Sequence, residues 1–100
     1  MSTEAYVYIL AGYKPDAGRR PIYVGSTTDL ANRIEQHKAG TGSRHTARYN
    51  IRKLVWFEQH ESVTTAMQRD YRLKRWDRAW KDELIEAENP EWRDLSDELA

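Results

Sequence analysis

Ile22-Tyr23-Val24-Gly25-Ser26-Thr27-Thr28-Asp29-Leu30-Ala31-Asn32-Arg33-Ile34-Glu35-Gln36-His37 is the stretch on which the fold turns, because its hydrophobic period changes partway along it. The first part is aromatic and β-branched, as a strand requires. From Thr28 or Asp29 a capping residue precedes Leu30, Ile34 and His37, which share a face by three- and four-residue steps, and Gly40 stops the run. The spacing predicts a helix from about residue 29 to 39. Gly25 lets the strand hand over to the helix with no side chain in the way.

Working outward, Ala5-Tyr6-Val7-Tyr8-Ile9-Leu10 reads as a strand, and the turn-like Lys14-Pro15-Asp16-Ala17-Gly18 connects it to the strand from Arg20 to Gly25 as an antiparallel hairpin. Pro21 belongs at a strand start or on an edge. Residues 40 to 50 are Gly-, Ser- and Thr-rich and predict a loop with at most one helical turn. Ile51 to Glu58, with Leu54-Val55-Trp56-Phe57, reads as a third strand. Ser62, Thr64 or Thr65 is positioned to cap a helix running to about Trp76. Asp77 is positioned to cap another, with Trp80, Leu84 and Ile85 inward, ending before Asn89-Pro90. The order β-β-α-β-α-α predicts an α+β architecture, a small three-stranded antiparallel sheet flanked by helices.

The 100 residues are one domain's worth, and 39% hydrophobic and 32% charged is globular composition. With no cysteine, disulfides, thiolate metal sites and Cys nucleophiles are excluded. The longest apolar run, Tyr6 to Gly12, is far short of a membrane span, and Met1-Ser2-Thr3-Glu4 lacks the basic start of a signal peptide, so a cytoplasmic protein is expected. The zero net charge is unevenly distributed. Residues 1 to 60 hold nine Lys/Arg against five acids, and residues 61 to 100 hold seven against eleven. This permits a localised polyanion site, as does many an ordinary surface.

Tyr8 and Tyr23 fall in neighbouring hairpin strands, where period-two alternation can bring both phenols to one face. Tyrosines are also simply good strand residues. Arg33 and His37 stand four apart on one helical face. An arginine fork binds phosphate in bidentate fashion and a histidine can move a proton, a pairing suited to a phosphodiester, although a solvated helix face can carry the same two residues.

The run Tyr23-Val24-Gly25-Ser26-Thr27-Thr28-Asp29, continuing to Arg33 and His37, resembles the second motif of the GIY-YIG nucleases and the helix after it. Tyr6-Val7-Tyr8 stands where the first motif's Gly-Ile-Tyr would be. The segment Ala66 to Ile85, with Lys74, Trp76, Arg78, Ala79, Lys81 and Leu84, and the ending Asn89-Pro90-Glu91-Trp92-Arg93-Asp94-Leu95 resemble the compact single-domain bacterial branch of that family.

The resemblance implies a DNA endonuclease using Mg2+ or Mn2+. In it Tyr8 activates or positions the attacking water, Tyr23 orients the scissile phosphate, Arg33 holds the charge on pentacoordinate phosphorus and His37 assists by hydrogen bond or proton transfer. A free phenol, with a pKa of about 10, needs a nearby cation for such a role, and the bound metal implied by the resemblance would supply it. The family's metal-binding Glu aligns with Asp70, one methylene shorter, which leaves open reduced activity or a module that binds DNA without cutting it. Glu61, Glu83 and Glu86 are alternatives under other geometries, and Asp70 paired with Lys74 is also an ordinary helix-surface arrangement. Tyr6 in place of the motif's glycine is a milder departure.

Arg44, His45, Arg48, Arg52 and Lys53, with Lys38 beside them, read as a footprint for the DNA backbone or as a solvated loop. Trp56, Trp76, Trp80 and Trp92 read as core or helix-packing residues, and the acidic end from Glu86 to Glu98 as solvent- or partner-facing. With no second domain expected to select a sequence, the substrate expected is structured, single-stranded or damaged DNA, acted on by a monomer or homodimer.

Overall fold

The computed structural model describes residues 4–13 and 18–99. Three antiparallel strands, β1 (Ala5–Ala11), β2 (Ile22–Thr27) and β3 (Lys53–His60), lie in the order β2-β1-β3. Four helices surround them: α1 (Leu30–Lys38), α2 (Arg44–Arg48), α3 (Val63–Arg75) and α4 (Arg78–Glu88), with a 3-10 turn at Ser96–Leu99. The expected α+β order β-β-α-β-α-α is present, with the allowed single helical turn realised as α2. Of the hairpin's expected turn, residues 14 to 17 lie outside the described residues.

Alternation along β1 builds two cores. Tyr8 and Leu10 pack with Leu30, Ile34, Ile51 and Leu54 on the α1 face. Ala5, Val7, Ile9 and Ala11 pack with Ala66, Leu73, Ile85 and Trp92 on the α3/α4 face. The capping signals are met locally. Asp29 Oδ1 accepts from the Asn32 amide at 3.2 Å, and Ser62 Oγ accepts from Thr65 at 3.2 Å. Asp77 precedes α4 without a side-chain cap. Pro21 falls just before β2, an edge strand, where its missing N–H costs no ladder bond.

Four expectations need correcting. The second strand runs Ile22–Thr27 rather than Arg20 to Gly25, because the ladder with β1 continues to Thr27 opposite Tyr6 while the Arg20 carbonyl accepts from Arg78 instead. The third strand begins at Lys53, because Asn50 adopts a left-handed φ of 53° and Ile51 closes α2 through its amide to the Thr46 carbonyl at 2.9 Å. Ile51 still fills the core, from a loop position. Trp80 is 54% exposed rather than inward. Only Trp76 and Asp77 separate α3 from α4, so Trp80 meets the edge of Trp76, at 5.9 Å between centroids, instead of the sheet. The acidic end is not uniformly outward either: Asp94 turns in to pair with Lys38 and accepts from the amides of Leu54 and Ser96.

A bulge explains how the C-terminal segment attaches. Ile9 pairs with Trp56 and Leu10 with Leu54, which leaves Val55 without a partner in the β1 ladder. Asn89, buried after α4, donates to the free Val55 carbonyl at 3.1 Å and to Arg93 O at 2.9 Å. The Leu95 amide then bonds Leu54 O at 2.7 Å.

Burial opposes ionisation of Asp94, but hydrogen bonds from Lys38 and Ser96 and the Lys38 charge outweigh it and hold the carboxyl below its usual range. A folded pKa below the unfolded one stabilises fully above roughly pH 4 and is lost as pH falls through the folded value. Asp94→Ala is expected to cost about 1 kcal/mol in urea unfolding at pH 7, since the carboxylate is partly solvated. The gap from the wild type should close as the pH is taken well below 4.

Candidate active site

The site forms along β2, and Gly25 is its pivot. Gly25 lies opposite Tyr8 in the β1–β2 ladder, and Tyr23 sits two residues earlier on the same face. The Tyr8 ring leans across β2 at this point. A Cβ on Gly25 would lie 2.5 Å from the Tyr8 hydroxyl and 3.1 Å from Tyr23 Cε2. Glycine is therefore required here for close approach, beyond its role in passing the chain from strand to helix. The two rings are 6.4 Å apart, on one face as the alternation predicted.

The leaning phenol ends on α1. Tyr8 Oη is 3.2 Å from His37 Nε2, and His37 Nδ1 is 3.0 Å from Thr46 Oγ1 on α2. His37 is fully buried, not on a solvated face, and its ring centroid is 5.6 Å from that of Tyr23. Gly42 passes against the imidazole so closely that a Cβ there would collide with it. The Thr46 hydroxyl lies within reach of the Ser43 carbonyl at 3.3 Å. If it donates there, it is left to accept from His37 Nδ1–H, and Nε2 is left to accept from the Tyr8 hydroxyl.

The opposite face of β2 carries the carboxylate. Ser26, one residue past Gly25, points to the α3 side and donates to Asp70 Oδ2 at 3.0 Å. Asp70 is only 13% exposed, and its Oδ1 is buried without a hydrogen-bond partner. Lys74 Nζ lies 3.0 Å from that oxygen as an i, i+4 ion pair, off the direction of a hydrogen bond. Of the alternatives, Glu61 and Glu83 are exposed, and Glu86 accepts from Trp92 Nε1 at 2.8 Å. Asp70 alone of the four bonds to β2.

Charge ties the two faces together. Burial pushes the Tyr8 phenol well above its usual range, and Tyr23 and Asp70 add to the effect, while Arg33 only partly opposes it. Arg33 by itself does not make this phenol basic, because desolvation is the larger effect. Burial also lowers the His37 pKa, with Arg33 adding to the drop. Arg33 is half-buried and has no ion-pair partner among the described residues, so its guanidinium is available to an anion.

The six basic residues expected as a footprint divide into two sets. Arg44, His45 and Arg48 stand exposed on α2, with His45 6.4 Å from Tyr23. Lys38 instead pairs with Asp94, Arg52 donates to the Lys38 carbonyl at 3.1 Å, and Lys53 lies over the Tyr13 ring. Sequence reasoning gave no role to Ser26, Gly42 or Thr46. Ser26 and Thr46 have no distinguishing spacing of their own, and Ser43 three residues before Thr46, the N-cap of α2, is the one local signal that could have placed the latter.

Because its folded pKa is lowered, neutral His37 stabilises the fold fully above its unfolded value of about 6.5, and this contribution is lost as pH falls toward the folded value. Its imidazole proton resonances should titrate below 6.5, and Arg33→Ala should move the midpoint upward without restoring the free value, since burial remains. Gly25→Ala should displace the Tyr8 ring, cost about 1–3 kcal/mol in denaturant unfolding and shift the same resonances. Unchanged His37 shifts in that variant would rule out the close Tyr8 approach.

The model of the GIY-YIG catalytic domain matches residues 4–83. A UPF0213 protein of Natronomonas pharaonis is 33% identical over 88 residues, covering 88% of this chain and 98% of its own length. A UPF0213 protein of Oceanobacillus iheyensis is 30% identical over 91 residues, covering 91% and 100%. The solution structure of a UPF0213 protein from Bacillus halodurans superposes with a TM-score of 0.52 at 29% identity, over 92% of this chain and 93% of that one. With the matched region holding both tyrosine strands, the Arg33/His37 helix and Asp70, the chain belongs to the GIY-YIG catalytic-domain family.

Proposed function

We propose that the protein is a divalent-metal-dependent endonuclease that hydrolyses DNA phosphodiesters at the β2 site. The observation that carries the reading is the meeting of Tyr8, Tyr23 and His37 beside an arginine with no ion-pair partner among the described residues, with a carboxylate held on the other face of the same strand. The donor set fits a hard divalent ion. Asp70 Oδ1 is a buried oxygen lacking a hydrogen bond, and the Ser26 hydroxyl fixes the other carboxylate oxygen. No group of three or more His, Cys, Asp or Glu exists among the described residues, so an ion on Asp70 would keep most of its waters, as Mg2+ does. Mg2+ or Mn2+ there supplies Lewis-acid neutralisation of phosphate charge.

The chain's own groups then divide the work. Arg33 takes the equatorial phosphate oxygens, where negative charge grows as water oxygen bonds to phosphorus and the bond to the leaving sugar oxygen breaks. Tyr23 orients the phosphate. Tyr8 is protonated at neutral pH, so it serves the water by passing its proton to His37 Nε2, 3.2 Å away, while taking one from the water. In the free protein Arg33 disfavours a cationic His37. A bound phosphodiester neutralises Arg33 and makes His37 a better proton acceptor only when substrate is present. Thr46 holds the ring in the tautomer that leaves Nε2 free.

A second reading, DNA binding without cleavage, draws on Lys74, whose ammonium already lies against Asp70 Oδ1 where the metal would bind.

Labelled single-stranded, duplex and branched DNA incubated with Mg2+, Mn2+ or EDTA separates the two. Cleavage is expected with metal, with Arg33→Ala and Asp70→Ala each losing on the order of a hundredfold or more. Cleavage that persists in EDTA or in both variants would refute this site, and tight binding with no cleavage under any metal would favour the second reading. Asp70→Glu should raise activity if the shorter carboxylate limits metal binding.

A further inference from the structure

The two tyrosines of the site continue outward into two rings, His45 and Tyr49, that the reaction does not use. Tyr8 and Tyr23 are 6.4 Å apart, Tyr23 and His45 6.4 Å, and His45 and Tyr49 5.0 Å. Along this line exposure rises from 1% at Tyr8 to 48% at Tyr49. Tyr49 belongs to neither core, so burial does not explain its ring. Its neighbours are His45, tilted 52° to it, and the Arg48 guanidinium, 5.6 Å from the ring centroid.

The segment that carries the exposed end of the line has charge of one sign. Residues 39 to 53 hold Arg44, Arg48, Arg52 and Lys53 and no acidic residue. Arg44 and Arg48 are exposed and have no carboxylate partner among the described residues. The surface is also anchored. Ser43 caps α2, Thr46 bonds His37, and the Ile51 amide returns to the Thr46 carbonyl at 2.9 Å. Whatever stacks on α2 is thereby held at a fixed offset from the Tyr8–His37 pair.

We infer that His45 and Tyr49, flanked by Arg44 and Arg48, form a stacking surface for an unpaired base of a single-stranded DNA segment entering the site. Aromatic faces beside cationic side chains bind bases through stacking and the backbone through charge, without reading sequence. A duplex cannot use the rings, because both faces of an internal base are covered by its neighbours. The inference deepens the nuclease reading and rests on it for the position of the scissile bond, but the stacking itself requires no chemistry.

Binding is therefore read in EDTA, with single-stranded oligodeoxynucleotides carrying 2-aminopurine at successive positions and with the matching duplex. The wild type is expected to quench the fluorophore and prefer the single strand. Tyr49→Leu, which keeps bulk but removes the ring, should abolish the quench and weaken single-strand binding about tenfold with duplex binding unchanged, and Tyr49→Phe should retain both. Quenching and preference unaltered in Tyr49→Leu, or equal weakening toward both DNAs, would overturn the inference. Cleavage assays run alongside keep the two claims apart. A Tyr49-dependent quench without cleavage supports the stacking surface while the nuclease reading fails, and cleavage with a preference indifferent to Tyr49 refutes the surface alone.

Discussion

The contact of the Tyr8 hydroxyl with His37 Nε2, reached by a ring that passes over Gly25, is the constraint around which the rest of the molecule is arranged. A phenol can cross an adjacent strand only where that strand has no side chain, so Gly25 must lie opposite Tyr8. This fixes the β1–β2 register, since a slip of one residue would put Tyr8 beneath Val24 or Ser26 and reverse every inward residue of β2. With the register set, Tyr23 faces the same way as Tyr8, and Ser26 faces the opposite helix. The edge strand β2 thus supplies Tyr23 to the aromatic side and Ser26, which holds Asp70, to the other.

Burial gives this arrangement its electrostatic character. Tyr8 and His37 are both removed from water, and each is pushed toward its neutral form. Two neutral groups sharing a hydrogen bond form a stable resting pair that moves a proton only when an outside charge changes the balance. Arg33 is the group through which that change would arrive, because it acts on both and is neutralised by no carboxylate among the described residues. The C-terminal segment contributes in another way. By drawing Lys38 onto Asp94 and securing the bulge carbonyl of Val55 through Asn89, it holds α1 and β3 in place and takes Lys38 out of the free positive surface.

Much of this is legible in the chain. The change of period after Gly25, the caps at Asp29 and Ser62, and the stop at Asn89-Pro90 are local signals, and the elements they mark appear where they point. Tyr8, Tyr23 and the Arg33/His37 pair were legible because strand alternation and helical spacing are themselves geometric rules. The misplaced features depend on long-range partners. The start of β3 was set by the left-handed Asn50, the exposure of Trp80 by a two-residue link between α3 and α4, and the inward turn of Asp94 by Lys38, which is distant in sequence.

What the sequence determined by itself was the set of elements, their order and the positions of the tyrosine, arginine and histidine side chains on them, because propensity, periodicity and capping act over a few residues. Only the tertiary structure decided that Tyr8 rests on His37, that Ser26 holds Asp70, that Thr46 orients the imidazole, and that Tyr49 is the exposed end of a line of rings that starts in the core. Each of these joins residues from separate elements. Their meeting depends on register, helix placement and burial, none of which any short stretch of chain encodes.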